Sequence, residues 1–577
     1  MWLFSSLTLF AQHKKIKILH SDNTFKNQEK YPGAIVALGH VMVEHEGATL
    51  QCNQALIYQE SNLIKAFGNV LINQGDTLTQ HSKFVSYNGN TKIAKSWGNV
   101  ILKDPEMTLT TDTLDFDRTR QLLYYKHFAT IRDSSNTLHS EIGNYYLNEK
   151  KFQAISQVVI DNADHKITSH KLDYYTSTGI SNLYGPTTIL DKKNNNTIYS
   201  EKGYHNSKTK ISHFVKNAKI NYKDRIIKGD SLYYDEHRKF ASATGHISVL
   251  DTINNSKITG GYAEYFQAKD SIFIIQKPVA ISLVDKDSMY IHGDRLLVTG
   301  KQKNRILRAY HHVKFFKENL QGKCDSLYTD EQKGITKMYR NPVLWSDINQ
   351  ITGDSIQFIT DTISNKLDSL KVYSKAFVIK KDSSGGYSQI KGKNLFARFK
   401  NDTIQHIYVS GNGQMINYNR NEKKELIGIT KLTCSNIKFK FDKGTIINIK
   451  YITKPTGKTY PPSQFPQDEK QLPGFIWRIA EQPKSKEDIF RHDPGDDAII
   501  KQIRIAEQKA KEERIRIAKA KKESERLKTA DEADKKKAES NKKSAQDTNK
   551  STKPDTQKST PSTPSPADLK LKNPNKK

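Results

Sequence analysis

The sequence predicts an all-β, elongated repeat architecture, and three observations predict it. A Gly-Asn-Val-like triplet recurs as Gly39-His40-Val41, Gly68-Asn69-Val70 and Gly98-Asn99-Val100, at steps of 29 and 30 residues. A second element, Leu56-x-Tyr58, Val85-x-Tyr87 and Leu114-x-Phe116, keeps a step of 29. Two independent elements holding one period mark a stacked repeat rather than a string of unrelated domains. Third, the chain has 577 residues but only 36% hydrophobic content and a mean hydropathy of −0.71. That is too little apolar material for one thick core, and it suits a thin body with much surface per residue.

Each element of the repeat has a physical basis. In Leu114-Asp115-Phe116-Asp117 apolar and polar residues alternate, the period of a half-buried strand. Val, Ile, Thr and Tyr are plentiful, as strands prefer. Gly-Asp, Gly-Asn and Asn-Gly pairs are expected as turns, because glycine accepts positive φ and Asx side chains bond their own backbone. The pattern drifts along the chain through Gly229-Asp230-Ser231-Leu232, Gly245-His246-Ile247, Gly293-Asp294, Cys324-Asp325-Ser326-Leu327, Gly353-Asp354-Ser355-Ile356, Gly392-Lys393 and Cys434-Ser435. Lys277-Pro278-Val279 and Asn341-Pro342-Val343 replace the triplet's glycine. Short strands cannot bury one apolar face singly, so neighbouring units must stack around a continuous interior.

The expected organisation has five parts. Residues 1–11 read as a secretory signal, an apolar run ending at Ala11, although without a basic start. Residues 17–451 form the β-repeat region. Residues 452–495 are a Pro-rich linker whose cluster Leu472-Pro473-Gly474-Phe475-Ile476-Trp477 either docks on a partner or caps an open end of the body. Residues 496–528, with Ile499, Ile500, Ile503 and Ile505, form a charged helix, and residues 529–577 a disordered Lys/Ser/Thr/Pro-rich tail. No stretch beyond the first residues reaches the ~18 apolar residues of a membrane span.

Charge points to an anionic partner. Of the formal +30, residues from Glu481 onward hold +8 and the rest of the chain +22. Lipid head groups, nucleic acid and acidic glycan all satisfy that charge. Chemistry is sparse by comparison. The three cysteines, Cys52, Cys324 and Cys434, lack metal or redox spacing and read as packing residues. No P-loop, nucleophile elbow or metal helix is present. His311-His312, on a regular strand, would point to opposite faces and not chelate together. No catalytic residue, metal site or cofactor is therefore expected, and the chain reads as a non-enzyme. A nucleic-acid binder conflicts with the secretory start and the body-wide apolar alternation.

The G-N-V triplet followed by L-x-Y/F resembles the OstA-like repeat, most clearly over residues 39–116 and 228–250. That family includes LptA-type lipopolysaccharide transport proteins and the N-terminal domain of LptD. The resemblance implies an open β-jellyroll with a V-shaped cross-section, here two or more in tandem, with acyl chains inside and head groups outside. It implies a protein of the periplasm, either free there or associated with the outer or inner membrane. Its partners would be lipopolysaccharide or a related glycolipid and other Lpt-type envelope proteins, joined by edge-strand pairing, with no nucleic acid. The inward positions are then Val41, Val70, Val85, Tyr87, Val100, Leu114 and Phe116, which line either a lipid groove or a closed, self-filled core. The alternative is a β-helix envelope protein that binds or cleaves polysaccharide, with carboxylates or Lys/Arg on one face.

Overall fold

The computed structural model describes residues 14–498, apart from breaks at 76–77, 254, 283–287, 302–303, 365, 402 and 444, and much of 501–523. The expected signal and tail lie outside the described residues. Residues up to 494 form one compact unit and the remainder another. In the second unit residues 512–523 are helical and exposed.

Among the described residues, the first unit is a single antiparallel sheet of 38 strand segments. Its long strands, such as Ile35–His45, Ala48–Tyr58, Leu63–Gln74 and Leu78–Asn88, run 11 or 12 residues and pair each with the next. The long strands carry a register shift near their middle. On alternate strands it falls at two successive left-handed residues: Gly39-His40 (φ 73° and 42°), Gly68-Asn69 (73° and 48°) and Gly98-Asn99 (80° and 57°). The same device recurs at Gly245-His246, Gln276-Lys277, Arg340-Asn341 and Thr453-Lys454. Each is a bulge in the ladder, so pairing resumes beyond it with the inward face kept inward.

This corrects one expectation. The repeat's Gly-Asn and Gly-Asp pairs, such as Gly68-Asn69, Gly98-Asn99 and Gly353-Asp354, are corners within strands, while Gly75 and Gly89 do stand between strands as expected. The turns lie elsewhere, at Glu46-Gly47 and in four-residue loops such as 89–92, where the Asn88 carboxamide accepts from the N–H groups of Asn90 and Thr91. On the intervening strands the corner demands a small residue. A Cβ at Gly353 would sit 2.4 Å from Val372 Cγ1. Cys52, Cys324 and Cys434 fill the same slot, their thiols donating to the carbonyls of Gln54, Ser326 and Asn436. The three cysteines are buried and free, as packing residues should be.

The corner folds the sheet into two wings that share one apolar cluster from Ala37 to Phe439. Where a strand is interrupted at its corner, both halves keep their neighbours: Leu122–Tyr125 and Ala129–Asp133 both pair with Met107–Asp117. Pairing runs unbroken from Lys17–His20 to Thr456–Tyr460, so the length that suggested tandem jellyrolls is one continuous roll. The sheet also passes the expected boundary at Tyr451, because Thr456–Tyr460 pairs with Leu426–Asp442 just after the Thr453-Lys454 corner.

Residues 461–494 are not a free linker. They run back across the outer face of one wing as a strap. Phe465 and Leu472 are buried against Phe377, Ile379, Ile416 and Ile429, with Phe475 and Trp477 alongside. Alternation explains the site: Ala376 faces the main core while Phe377 and Ile379 face outward and need a cover. Gln389 and Gln350, both fully buried, hold the strap backbone with paired amide bonds, to Lys470 and Leu472 (2.7 and 2.8 Å) and to Ile476 and Arg478 (both 2.7 Å). Further along, Lys323 meets Glu481 (2.6 Å) and Asp493 (2.8 Å), and Lys314 also meets Asp493 (2.8 Å). The apolar cluster therefore covers a face of the sheet, not its end.

Candidate functional site: an apolar interior closed by a polar seam

All seven inward candidates lie in the main core. Val41, Val70, Val85, Val100 and Leu114 are at most 1% exposed, Phe116 4% and Tyr87 8%. Behind one rim, Tyr87 and Phe116 join Val43, Leu50, Ile64 and Ile72 around a cavity of about 40 Å³. That volume suits a water or two, not an acyl chain. Further along, Ile198, Ile220, Ile227 and Ile258 are only half-buried against the same core. The interior is apolar, mostly aliphatic with aromatic residues such as Tyr145, Phe152, Phe214 and Phe315 set among them, and a guest would have to spread the wings to enter.

The mouth of the V is spanned by side chains. One rim consists of the turns at 46–47, 104–106, 134–136 and 162–164, and the other of the loops at 89–92, 118–121, 148–150 and 207–210. Lys92 reaches Glu46 (2.7 Å), Lys150 reaches Asp104 (3.2 Å), and Lys210 reaches Asp164 (2.9 Å). Each lysine closes its loop in the left-handed conformation, and each acid lies 46 residues upstream. Gln121 and Gln74 (3.0 Å) and Asp270 and Arg225 (3.6 Å) repeat the offset at 47 and 45 residues. An offset of one and a half repeats means that the rims meet three strands out of step, roughly 14 Å of shear at ~4.8 Å per strand. The twisted sheet coils as it folds, which supplies that shear.

A second row stands just inside. Tyr87 donates to or accepts from His45 Nδ1 (2.7 Å) and accepts from Arg118 (3.0 Å), whose guanidinium also donates to the carbonyls of His45 and Glu46. Tyr145 donates to Asp104 (2.6 Å), and Tyr174 donates to Asp133. These phenols are apolar inward and polar at the seam. Burial, with Asp104 beside it, pushes the Tyr145 hydroxyl well above the usual phenol range, so it stays a donor. Lys92 holds the Glu46 carboxyl below its ordinary range, and Lys193 with Lys210 does the same for Asp164. At 251–305 the seam ends in a buried pair. The Arg305 side chain is 7% exposed and meets Asp251, while its Nε and Nη2 find no hydrogen-bond partner among the described residues.

The sequence reading found the core positions but not this seam, apart from Tyr87. The pairs are 46 residues apart, and only a repeat number combined with a shear would have aligned them. His311 and His312 do not lie on regular strand as expected, though they stay apart as ligands. Both are left-handed corner residues (φ 60° and 48°) and take separate carboxylates, Asp325 and Asp294, at 3.0 Å each. His492 of the strap stacks on His312, which brings potential ligand atoms of Asp294, His312 and His492 within 4.8 Å of one another.

The fold and site define a class: a long antiparallel roll of bent strands around an apolar interior. Residues 13–170 match the family model described as OstA-like protein, and over that stretch the chain is OstA-like. The same corners, pairing and core continue beyond residue 170. No curated protein matches the chain. Among solved structures, LptH of Pseudomonas aeruginosa, the LptA-homologous periplasmic component of its lipopolysaccharide transport device, is similar at 18% identity. That likeness covers 20% of this chain and 82% of LptH with a TM-score of 0.19, too little to carry weight here.

Proposed function

We propose that the roll is a non-enzymatic periplasmic carrier of lipopolysaccharide or a related glycolipid in outer-membrane assembly. The observation that carries this reading is the single apolar cluster running from Ala37 to Phe439 in an OstA-like chain. Burying acyl groups there is worth roughly 0.8 kcal/mol per CH₂, and chemically similar units let a chain slide without a large change in energy. The basic excess upstream of Glu481 suits a phosphorylated head group. Among the described residues no helix is long and apolar enough to cross a membrane.

Both ends of the sheet offer partners for edge-strand pairing. Among the described residues, Lys17–His20 and Asn23–Lys26 pair only with Ile35–His45, and Thr445–Ile452 pairs only with Leu426–Asp442. Their outer edges leave backbone donors and acceptors for another OstA-type chain. The test is native mass spectrometry of the full chain purified from envelopes. Co-purifying glycolipid that survives salt but not detergent supports the carrier; a chain that never retains lipid moves the reading to a scaffold or a polysaccharide-binding roll.

A further inference from the structure

Corner histidines pair with carboxylates along the whole roll. His40 meets Asp22 at 2.9 Å, His246 meets Asp230 at 2.8 Å and His311 meets Asp325 at 3.0 Å. Such a pair by itself is a contact that shapes the corner. The pair of His312 and Asp294 differs in what lies over it. His312 Nδ1 stands 3.0 and 3.1 Å from the two oxygens of Asp294, and the His492 ring of the strap stacks on the His312 ring with centroids 4.2 Å apart. Among the described residues this is the one group of three or more His, Cys, Asp or Glu side chains whose potential ligand atoms all lie within 4.8 Å of one another. Asp22 also has two histidines beside it, His20 and His40, but they take opposite oxygens and are exposed. Asp325 is already shared with Arg340.

His492 is held over the pair by its neighbours. Phe490 packs on His292 with ring centroids 4.8 Å apart, and the Arg491 carbonyl accepts from Lys314 Nζ (2.6 Å). Asp493 meets Lys314 and Lys323 at 2.8 Å each and Arg491 at 3.5 Å, which offsets the positive charge beside the site. On the sheet side, the Asp294 N–H donates to the His311 carbonyl (3.0 Å), and the His312 side chain is 8% exposed. Two imidazole nitrogens and one carboxylate oxygen are a donor set that suits zinc and its neighbours. Ligand atoms around a tetrahedral ion with bonds of ~2.0–2.1 Å stand roughly 3.4 Å apart. The group therefore needs only a small closing, and the exposed His492 ring can supply it.

We propose that Asp294, His312 and His492 form a metal site for a zinc-class divalent ion, which staples the end of the strap to a corner of the sheet. The ion takes the place of the proton between His312 Nδ1 and Asp294, that proton going to solvent. A ring nitrogen of His492 is the third ligand and water the fourth. None of the three residues belongs to the main apolar cluster, so the site holds whether or not the roll carries lipid. His312 and His492 are 180 residues apart, which is why no sequence motif announces it.

The experiment uses the full, untagged chain, stripped with chelator and titrated with Zn²⁺ by calorimetry and with Co²⁺ by visible absorption. One equivalent of Zn²⁺ is expected to bind, and Co²⁺ is expected to give the absorption of a four-coordinate ion, abolished by Zn²⁺. His492→Ala and Asp294→Asn are each expected to weaken binding by more than the ~10–100-fold that losing a hydrogen-bond partner of a ligand costs. His246→Ala, at a corner pair with no third ligand over it, is expected to bind as the native chain does. Hydrogen exchange at 488–493 is expected to slow when Zn²⁺ is added to the native chain and to stay unchanged in His492→Ala. A native chain that takes up no Zn²⁺, or equal affinity in the native chain, His492→Ala and Asp294→Asn, would overturn the site. Zn²⁺ bound through His492 without any slowing of exchange would overturn the staple.

Discussion

At the scale of single residues, the roll depends on positions where backbone and side chain leave one choice. Gly353 meets Val372 inside the corner, so Gly353→Ala is expected to destabilise the chain by roughly 1–3 kcal/mol through overpacking. Chemical denaturation measures it, and a neutral outcome would mean that the corner is looser than its geometry. Asp104, its side chain 2% exposed, accepts from Tyr145 and Lys150 together. Asp104→Ala strands both donors and should cost about 1–3 kcal/mol, read in the same way. For Asp164 the sign with pH is fixed. Its folded pKa is depressed, so its stabilisation is full above the ordinary carboxylate value near ~4 and is lost as pH falls through the folded value. The melting-temperature difference between the native chain and Asp164→Asn should therefore be largest at neutral pH and vanish in strong acid; a difference independent of pH would deny the ionic pairing.

These residues were unequally legible. Val41, Val70 and Val100 announced themselves because each closes the Gly-x-Val triplet that recurs at steps of 29 and 30 residues. Gly353 was visible as part of a motif but mistaken for a turn, because glycine beside an Asx residue serves turns and bulges alike. Asp104 and Lys150 carried no local signal at all. Their pairing exists only after the sheet has coiled.

At the scale of elements, the strap is the part that sequence composition misdirected most. Its prolines do keep it out of the sheet, but an outward Phe377 and Ile379 needed covering, and Pro-rich chain covers a sheet face without competing for its hydrogen bonds. The apolar cluster around Phe475 and Trp477 was visible in the sequence, and its destination was not. The buried Lys314–Asp493–Lys323 group pins the far end. Lys323→Met removes one cation from Glu481 and Asp493, which keep Arg478 and Lys314, a loss in the range of about 1–3 kcal/mol. Because the strap makes no ladder bonds here, the loss should be local. Hydrogen exchange is expected to rise at 476–493 while the strands Ile306–Lys317 and Leu320–Asp330 stay protected; parallel loss of protection in those strands would mean that strap and sheet are one cooperative unit.

At the scale of the whole roll, one sheet, one corner line and one seam are consequences of a single repeat. A unit of about 29 residues supplies two bent strands, the corner keeps both wings facing inward, and coiling brings loop lysines against turn carboxylates one and a half units away. The repeat was legible from residue 39 onward because it is written in short, local motifs. Continuity of the sheet was not, since drift in those motifs looks the same whether a chain holds one roll or several. An interior that is apolar over such a length, and closed at its mouth by side-chain pairs rather than by a backbone ladder, suits the lipid carrier proposed above.

The most direct test of that claim is photo-crosslinking in living cells, with a photoreactive residue at Phe116 or Val85 inside the roll and at Asp115 outside it. The account predicts glycolipid adducts from the two inward positions and none from Asp115. Stable, folded protein without lipid adducts at either inward position would contradict it and leave a self-filled core.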